Sequence, residues 1–206
     1  MKQYTAQLPN IGYAGAELTD KDMYAIEREI EEIRSNFDTT EKMNHGHAGN
    51  LQHEFVLSKS RKALEQIVYP LAKTFIQHNP EFQGVTAEDS LELEGAWVNF
   101  QKKNEIFRAH THKGLLSFAL WVKVPFTQKQ EADYLARNGK DISCTSGFYY
   151  YYTNTRGKII PHFMPVDKSY ERKIILFPGD TLHSVSPFYT SDDYRVTVSG
   201  NIIVKE

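Results

Sequence analysis

The 206-residue sequence predicts an α+β fold that is mainly β, a jelly roll preceded by helices. Three observations carry this. Up to about residue 90, apolar residues recur at spacings of three and four, the repeat of an amphipathic helix. Beyond that point the chain breaks into short β-branched and aromatic runs divided by turn residues, as antiparallel strands do. Helices followed by a run of strands give a layered α+β architecture, and a jelly roll manages the exposed edges of that many strands. The length favours one domain over 1–206, with a helical flank and loop over 1–90 and the β core over 91–206.

The elements follow in order. Thr19 and Asp22 form the pattern of a capping box, with Asp where Glu is usual. Met23, Ile26, Ile30, Ile33 and Phe37 then repeat with charges between them, which predicts a helix over about 20–36. TTEKMNHGHAGNLQHEF is polar and Gly-rich and reads as a loop. Leu64, Ile67, Leu71 and Phe75 mark a second helix, opened by Ser58 or Ser60, in which Pro70 should produce a kink or a split. Six strands are expected from LELEGAWVNFQ, LLSFALWVKV, GFYYYYTN, RKIILFP, DTLHSV and YRVTVSGNIIV. One helix interrupts them, opened by Thr127 with Gln130 and closed by Gly139.

Composition excludes several classes. Lys and Arg number 24 against 26 Asp and Glu, a balance that argues against tight duplex nucleic-acid binding. The single cysteine, Cys144, excludes an internal disulfide framework and a cysteine-based zinc cluster. The longest largely apolar run, Leu115 to Val122, falls far short of the roughly 20 residues that cross a bilayer. MKQYTAQLPN has no apolar export segment, so a soluble, cytoplasmic protein is expected, in the host cytoplasm if phage-encoded. No repeat or linker marks a second domain.

The last strand is two-faced. Val196, Val198, Ile202 and Val204 point one way and Arg195, Thr197, Ser199 and Asn201 the other. Two readings stand: an edge strand with a solvated face, or an apolar face packed on the helices with a polar face lining a cavity. The eight histidines bear on this. His78, before Asn79-Pro80, reads as a helix terminus, where an imidazolium suits the dipole, and His162 offers no spacing argument. His110 and His112, directly before a strong strand, project to one side of extended backbone and can reach one ion. His183, after the Pro178-Gly179-Asp180 turn, is the candidate third ligand. If His183 and Arg195 oppose each other across a hairpin, the guanidinium enters the same cavity with Thr197 beside it. A buried arginine needs an anion, and its planar fork suits a carboxylate, with a hydroxyl adding a third bond. That describes a metal beside a carboxylate receptor. His45 and His47, in NHGHAGN, read either as a solvated loop or as a lid over the cavity.

WVNFQKKNEIFRAHTHKGLLSFALWVKVP and FPGDTLHSVSPFYTSDDYRVTVSGNI resemble the iron(II)- and 2-oxoglutarate-dependent oxygenases, especially small phage and bacterial, prolyl-hydroxylase-like members. The resemblance runs from about residue 95 onward. The family pattern is His-x-Asp or His-x-Glu, a distal His, and an Arg on the next strand, often as Arg-x-Ser. His110, His183 and Arg195 match it, and Thr197 stands where the Ser would be. The implied fold is a double-stranded β-helix with flanking N-terminal helices. One departure stands out: His112 replaces the carboxylate of the usual metal-binding triad. Three neutral imidazoles leave the ion about one charge more positive, yet imidazole suits iron as it does zinc, copper and nickel.

The resemblance implies Fe(II) held by His110, His112 and His183, with no catalytic side chain beyond these ligands. It implies 2-oxoglutarate as cosubstrate, held by Arg195 and Thr197 with Asn99 beside them. Oxidative decarboxylation would give succinate and carbon dioxide while O2 hydroxylates a C–H bond of an organic or protein substrate. His45, His47 and Trp121 are the residues expected near substrate. Tyr149 to Tyr152 are open to the same role, against ordinary core packing. Two other functions stand: a three-His jelly-roll dioxygenase that needs no keto acid, and a non-enzymatic jelly-roll binding module. Substrate and oligomeric state are left open.

Overall fold

Two antiparallel sheets form the frame of the computed structural model, which describes residues 1–7, 12–43, 49–82, 85, 91–142, 145–154 and 156–205. The strands are β1 (Lys2–Gln7), β2 (Gly12–Glu17), β3 (Glu54–Val56), β4 (Leu91–Gln101), β5 (Phe107–His110), β6 (Leu116–Lys123), β7 (Phe148–Thr153), β8 (Ile159–Met164), β9 (Lys173–Pro178), β10 (His183–Val185) and β11 (Arg195–Val204). The larger sheet runs β1-β2-β9-β6-β11-β4-β3 and the smaller β5-β10-β7-β8. This is the jelly roll expected. Among the described residues, no helix is long and apolar enough to cross a membrane.

Three helices accompany the sheets: α1 (Asp20–Arg34), α2 (Arg61–His78) and α3 (Gln128–Arg137). The capping boxes of Thr19 with Asp22 and Thr127 with Gln130 both form, satisfying first-turn N–H groups that have no partner within the helix. α2 begins differently. The Ser60 hydroxyl makes no cap bond to the helix; instead Glu29 of α1 accepts from the N–H groups of Ser58 and Lys59 at 2.8 Å and of Ser60 at 2.7 Å. A carboxylate at a helix N-terminus meets the positive end of the dipole. Pro70 neither splits nor ends α2. It lies on the exposed side, where a carbonyl deprived of its N–H partner turns to water.

Each long strand sorts its side chains by period two. From β11, Val196, Val198 and Ile202 join Met23, Ile26, Leu64 and Phe75 of α1 and α2 in one core. Thr197, Ser199 and Asn201 face the interior between the sheets and line a cavity there. The last strand is therefore a central strand with a polar inner face, not a solvated edge. A second, aromatic core fills the sandwich beside that cavity, with Trp121, Phe148, Tyr150 and Phe177 among its members.

Two features differ from the sequence expectation. The segment before residue 90 contributes three strands as well as helices and loop. β1 and β2 escape the pattern because β2 buries Ala14 and Ala16, small residues with weak strand preference. β8 carries Pro161, which has no ladder N–H to give and sits on an edge strand of the smaller sheet. The second difference concerns pairing. β10 pairs with β5 and β7, and β11 with β4 and β6, so His183 and Arg195 are not opposed across a hairpin. The chain between them crosses from one sheet to the other.

Candidate active site

The cavity between the sheets measures about 850 Å³. Its histidines come from the smaller sheet and the turn beside it. His110 ends β5, His183 starts β10, and the two are direct register partners. Their ring centroids lie 4.3 Å apart. His112, two residues past His110, brings its ring within 5.1 Å of both. One ligand atom from each imidazole lies within 4.8 Å of the others.

The turn before His183 fixes this meeting. His112 N–H donates to the Gly179 carbonyl at 2.8 Å, and Gly179 N–H to that of Leu115 at 3.1 Å. A Cβ on residue 179 would stand 2.0 Å from the Gly114 carbonyl oxygen, so only glycine permits this approach. Two stretches some seventy residues apart are thus clasped backbone to backbone beside the three rings.

Protonation favours ligation. His110 Nδ1 sits 2.7 Å from the Arg108 carbonyl and His183 Nδ1 2.8 Å from that of Thr181. A carbonyl only accepts, so Nδ1 carries the proton in each and Nε2 keeps its lone pair. Burial pushes His183 down to about 3, helped by His110 and His112 and opposed by its bond to Thr181. Burial and then His110 push His112 to about 4, and burial lowers His110. Three neutral imidazoles with lone pairs converging from a partly apolar wall suit a divalent transition metal. Phe148 stacks on His183 at 5.4 Å and Phe177 meets it edge-on at 5.0 Å, which holds the ring in place.

The opposite wall is polar. Trp121, Thr197, Asn99 and Glu54 form one register row across β6, β11, β4 and β3. Asn99 Nδ2 donates to the hydroxyl oxygens of Thr197 and Ser199 at 3.4 Å. Trp121 lines the cavity and packs edge-on to Phe148 and Tyr170.

Arg195 is 1% exposed and stands behind Gln101, itself a lining residue. Its Nε donates to Gln101 Oε1 at 2.9 Å, and its Nη2 to that oxygen and to the Ser186 carbonyl. Nη1 is buried with no partner among the described residues. Phe126 and Phe188 flank the guanidinium, with centroids 5.9 and 5.6 Å from Cζ. Burial pushes the arginine down to about 9, against the pull of Glu131. Glu131, on α3 and fully buried, accepts from the N–H groups of Tyr189 and Thr190 at 3.0 Å, which fastens the crossing segment. A buried cation with one unused fork suits a carboxylate ligand.

The structure thus brings His110, His112 and His183 together, places Thr197, Asn99 and Trp121 on the cavity wall, and sets Arg195 just behind it. His45 and His47 lie outside the described residues. Tyr149 to Tyr152 are absent from the described lining: Tyr150 is packed between the sheets, and Tyr149 and Tyr151 stack on the other face of β7. Gln101, Glu54 and Glu131 escape sequence reasoning. Counting by two from Asn99 points to Gln101; nothing local singles out the carboxylates.

Comparison with known proteins follows the same line. Among solved structures, a prolyl-4-hydroxylase from Pseudomonas putida is 10% identical with a TM-score of 0.56, over 95% of this chain and 94% of that one. AviO1 from Streptomyces viridochromogenes Tue57 is 9% identical with a TM-score of 0.58, over 96% and 91%. The non-heme alpha ketoglutarate dependent epimerase SnoN from nogalamycin biosynthesis is 11% identical with a TM-score of 0.58, over 95% and 77%. These likenesses are of fold. No curated protein matches the sequence. The sequence profile of the 2OG-Fe(II) oxygenases matches residues 95–201, a span that includes all three histidines, Arg195 and Thr197. Since that match takes in more than half of the chain, the protein belongs to the 2OG-Fe(II) oxygenase family, enzymes that work with non-haem iron and 2-oxoglutarate.

Proposed function

We propose that residues 1–206 act as one oxygenase domain in which His110, His112 and His183 hold Fe(II), and that the chain hydroxylates an organic or protein substrate. The observation that carries this is the set of three neutral imidazoles within 4.8 Å, His183 buried and His110 and His112 half-buried, facing a cavity backed by a buried arginine. Iron bound there supplies a redox centre at which O2 and the keto acid react. The rest is done by side chains. Arg195 offers Nη1 to the distal carboxylate of 2-oxoglutarate, while Gln101 and Ser186 hold the remainder of the fork. Asn99 donates into the Thr197 oxygen, which leaves the Thr197 hydroxyl proton free for the same carboxylate. Trp121, Phe148 and Phe177 keep water from the inner end.

Anaerobic protein with Fe(II) and 2-oxoglutarate is expected to show a visible metal-to-ligand charge-transfer band. His183→Ala should abolish it. Arg195→Ala should raise the 2-oxoglutarate concentration it needs by about tenfold or more, as loss of a charged hydrogen bond does; an unchanged requirement would remove Arg195 from this role. The missing carboxylate ligand favours one competing reading, a three-His dioxygenase that needs no keto acid. Oxygen uptake without succinate would identify it.

A further inference from the structure

The three histidines are not held alike. His110 and His183 each commit Nδ1 to a carbonyl two residues back, that of Arg108 at 2.7 Å and that of Thr181 at 2.8 Å. Such a bond fixes both the tautomer and the orientation of the ring, and leaves Nε2 as the ligand atom. Neighbouring rings add to this. The Phe107 centroid lies 6.1 Å from that of His110, and those of Phe148 and Phe177 lie 5.4 and 5.0 Å from that of His183. His112 has no such support. Neither of its ring nitrogens has a hydrogen-bond partner among the described residues. Outside the cluster its ring meets only that of Trp97, tilted by 42° at 5.9 Å. Its main-chain N–H is clasped to Gly179, so the backbone is fixed where the side chain is not.

Charge makes that third position exchangeable. Three neutral imidazoles leave a divalent ion with its full charge in a site that is half-buried or more, and such a charge is costly until an anion meets it. His112 is flanked by Thr111 and Lys113, both exposed lining residues. Lys113 is the only lysine or arginine among the described lining residues and adds to the pull on an anion. Glu94, also an exposed lining residue, opposes it. Water and salt screen that single exposed charge far more than the two charges of an ion held between the sheets. A carboxylate oxygen is, besides, a ligand that divalent iron and zinc both accept.

We propose that His110 and His183 are the fixed pair that holds the metal, and that His112 is an exchangeable ligand whose place a carboxylate of an incoming molecule takes. The exchange is a swap of donors with no change of oxidation state. One metal–nitrogen bond breaks, one metal–oxygen bond forms, and the released imidazole stays neutral. This ligand hierarchy deepens the metal-centre reading above and rests on it.

Cobalt(II) titration against a chelator, on the full-length chain and three alanine variants, reads the inequality. His112→Ala should lose about 10- to 100-fold less affinity than His110→Ala or His183→Ala, the worth of a hydrogen bond that orients a ligand. Should His183→Ala not fold, His110→Ala carries the comparison. Acetate should restore wild-type affinity to His112→Ala. Proton NMR of the wild-type cobalt(II) protein reads the exchange directly. The two imidazole N–H signals bonded to Arg108 and Thr181 should be shifted by the metal and slow to exchange, and that of His112 lost to exchange with water. On addition of acetate or 2-oxoglutarate, the ring C–H signals of His112 should return to their ordinary range while those of His110 and His183 stay displaced. Release by acetate assigns the place to a substrate carboxylate; release by 2-oxoglutarate alone assigns it to the cosubstrate. Equal losses in the variants, three slow N–H signals, or His112 signals that stay displaced with both acids overturn the proposal. The charge-transfer band, read on the same protein, separates the two ideas. A band with three equal ligands removes the hierarchy alone; a hierarchy without a band removes the oxygenase assignment alone.

Discussion

Adding one methyl group at residue 179 is expected to disable the metal centre from outside its ligands. In Gly179→Ala, Cβ would lie 2.0 Å from the Gly114 oxygen, 2.9 Å from its carbonyl carbon and 3.2 Å from the His112 oxygen. All are backbone atoms, so no rotamer change relieves the contact. The segments must part by about 1 Å, several times the roughly 0.2 Å that a metal–ligand distance tolerates. The 2.8 Å bond from His112 to Gly179 breaks as they do. Overpacking of this kind costs about 1–3 kcal/mol, and in a chain of this size each kcal/mol lowers Tm by about 2–4 °C. Metal affinity should fall about 10- to 100-fold, as it does when groups that orient the ligands are lost. Cobalt(II) titration against a chelator reads the first effect and calorimetry the second. Gly95→Ala is the control, because its Cβ meets nothing within 4 Å. Wild-type cobalt affinity and Tm in Gly179→Ala would refute the reasoning that the clasp sets the ligand geometry.

Other substitutions test other supports. Glu29→Gln should cost about 1–3 kcal/mol by weakening the acceptor that caps α2, read by denaturant unfolding. Burial raises the Glu29 carboxyl, but bonds from Ser60, Lys59 and Ser58 outweigh it and hold the group below its ordinary 4.5. Its contribution is therefore complete above pH 4.5 and lost as pH falls through the lower folded value; Glu29→Gln should lack that acid-side loss. Gln101→Leu strips Arg195 Nε of its acceptor and should lower stability by about 1.5–3 kcal/mol while weakening 2-oxoglutarate binding, read by Tm and by the charge-transfer titration. Glu131→Ala leaves the Tyr189 and Thr190 N–H groups without acceptors, at about 1–3 kcal/mol each, and hydrogen exchange at those two amides should accelerate.

The legible parts of the fold are those whose signal is local. LELEGAWVNFQ becomes β4 without adjustment because a long β-branched and aromatic run has few other ways to bury itself. Thr19 and Thr127 mark helix starts because a capping box satisfies its own backbone. The β1–β2 hairpin has no such mark. Its residues are small because the core presses on Ala14 and Ala16 from one face and the Tyr4 ring on Gly15 from the other, and that pressure is tertiary. The same divide runs through the site. His110 and His112 are readable as neighbours from extended backbone, and His183 from its place after a turn. The sheet that β10 joins is a matter of pairing, so proximity of His183 to Arg195 along the chain suggests a hairpin that does not form. Glu54 and Glu131 look like solvated charges until neighbouring segments bury them.

Glu131 has a consequence for how the molecule opens. It nails the segment between β10 and β11 to α3, along the same border where Gln101 and Ser186 grip Arg195. The exposed lining residues, Glu94, Thr111 and Lys113, lie at the other border, where the wall meets solvent. Traffic into the cavity therefore passes these three first, and the arginine is the last thing a visitor reaches.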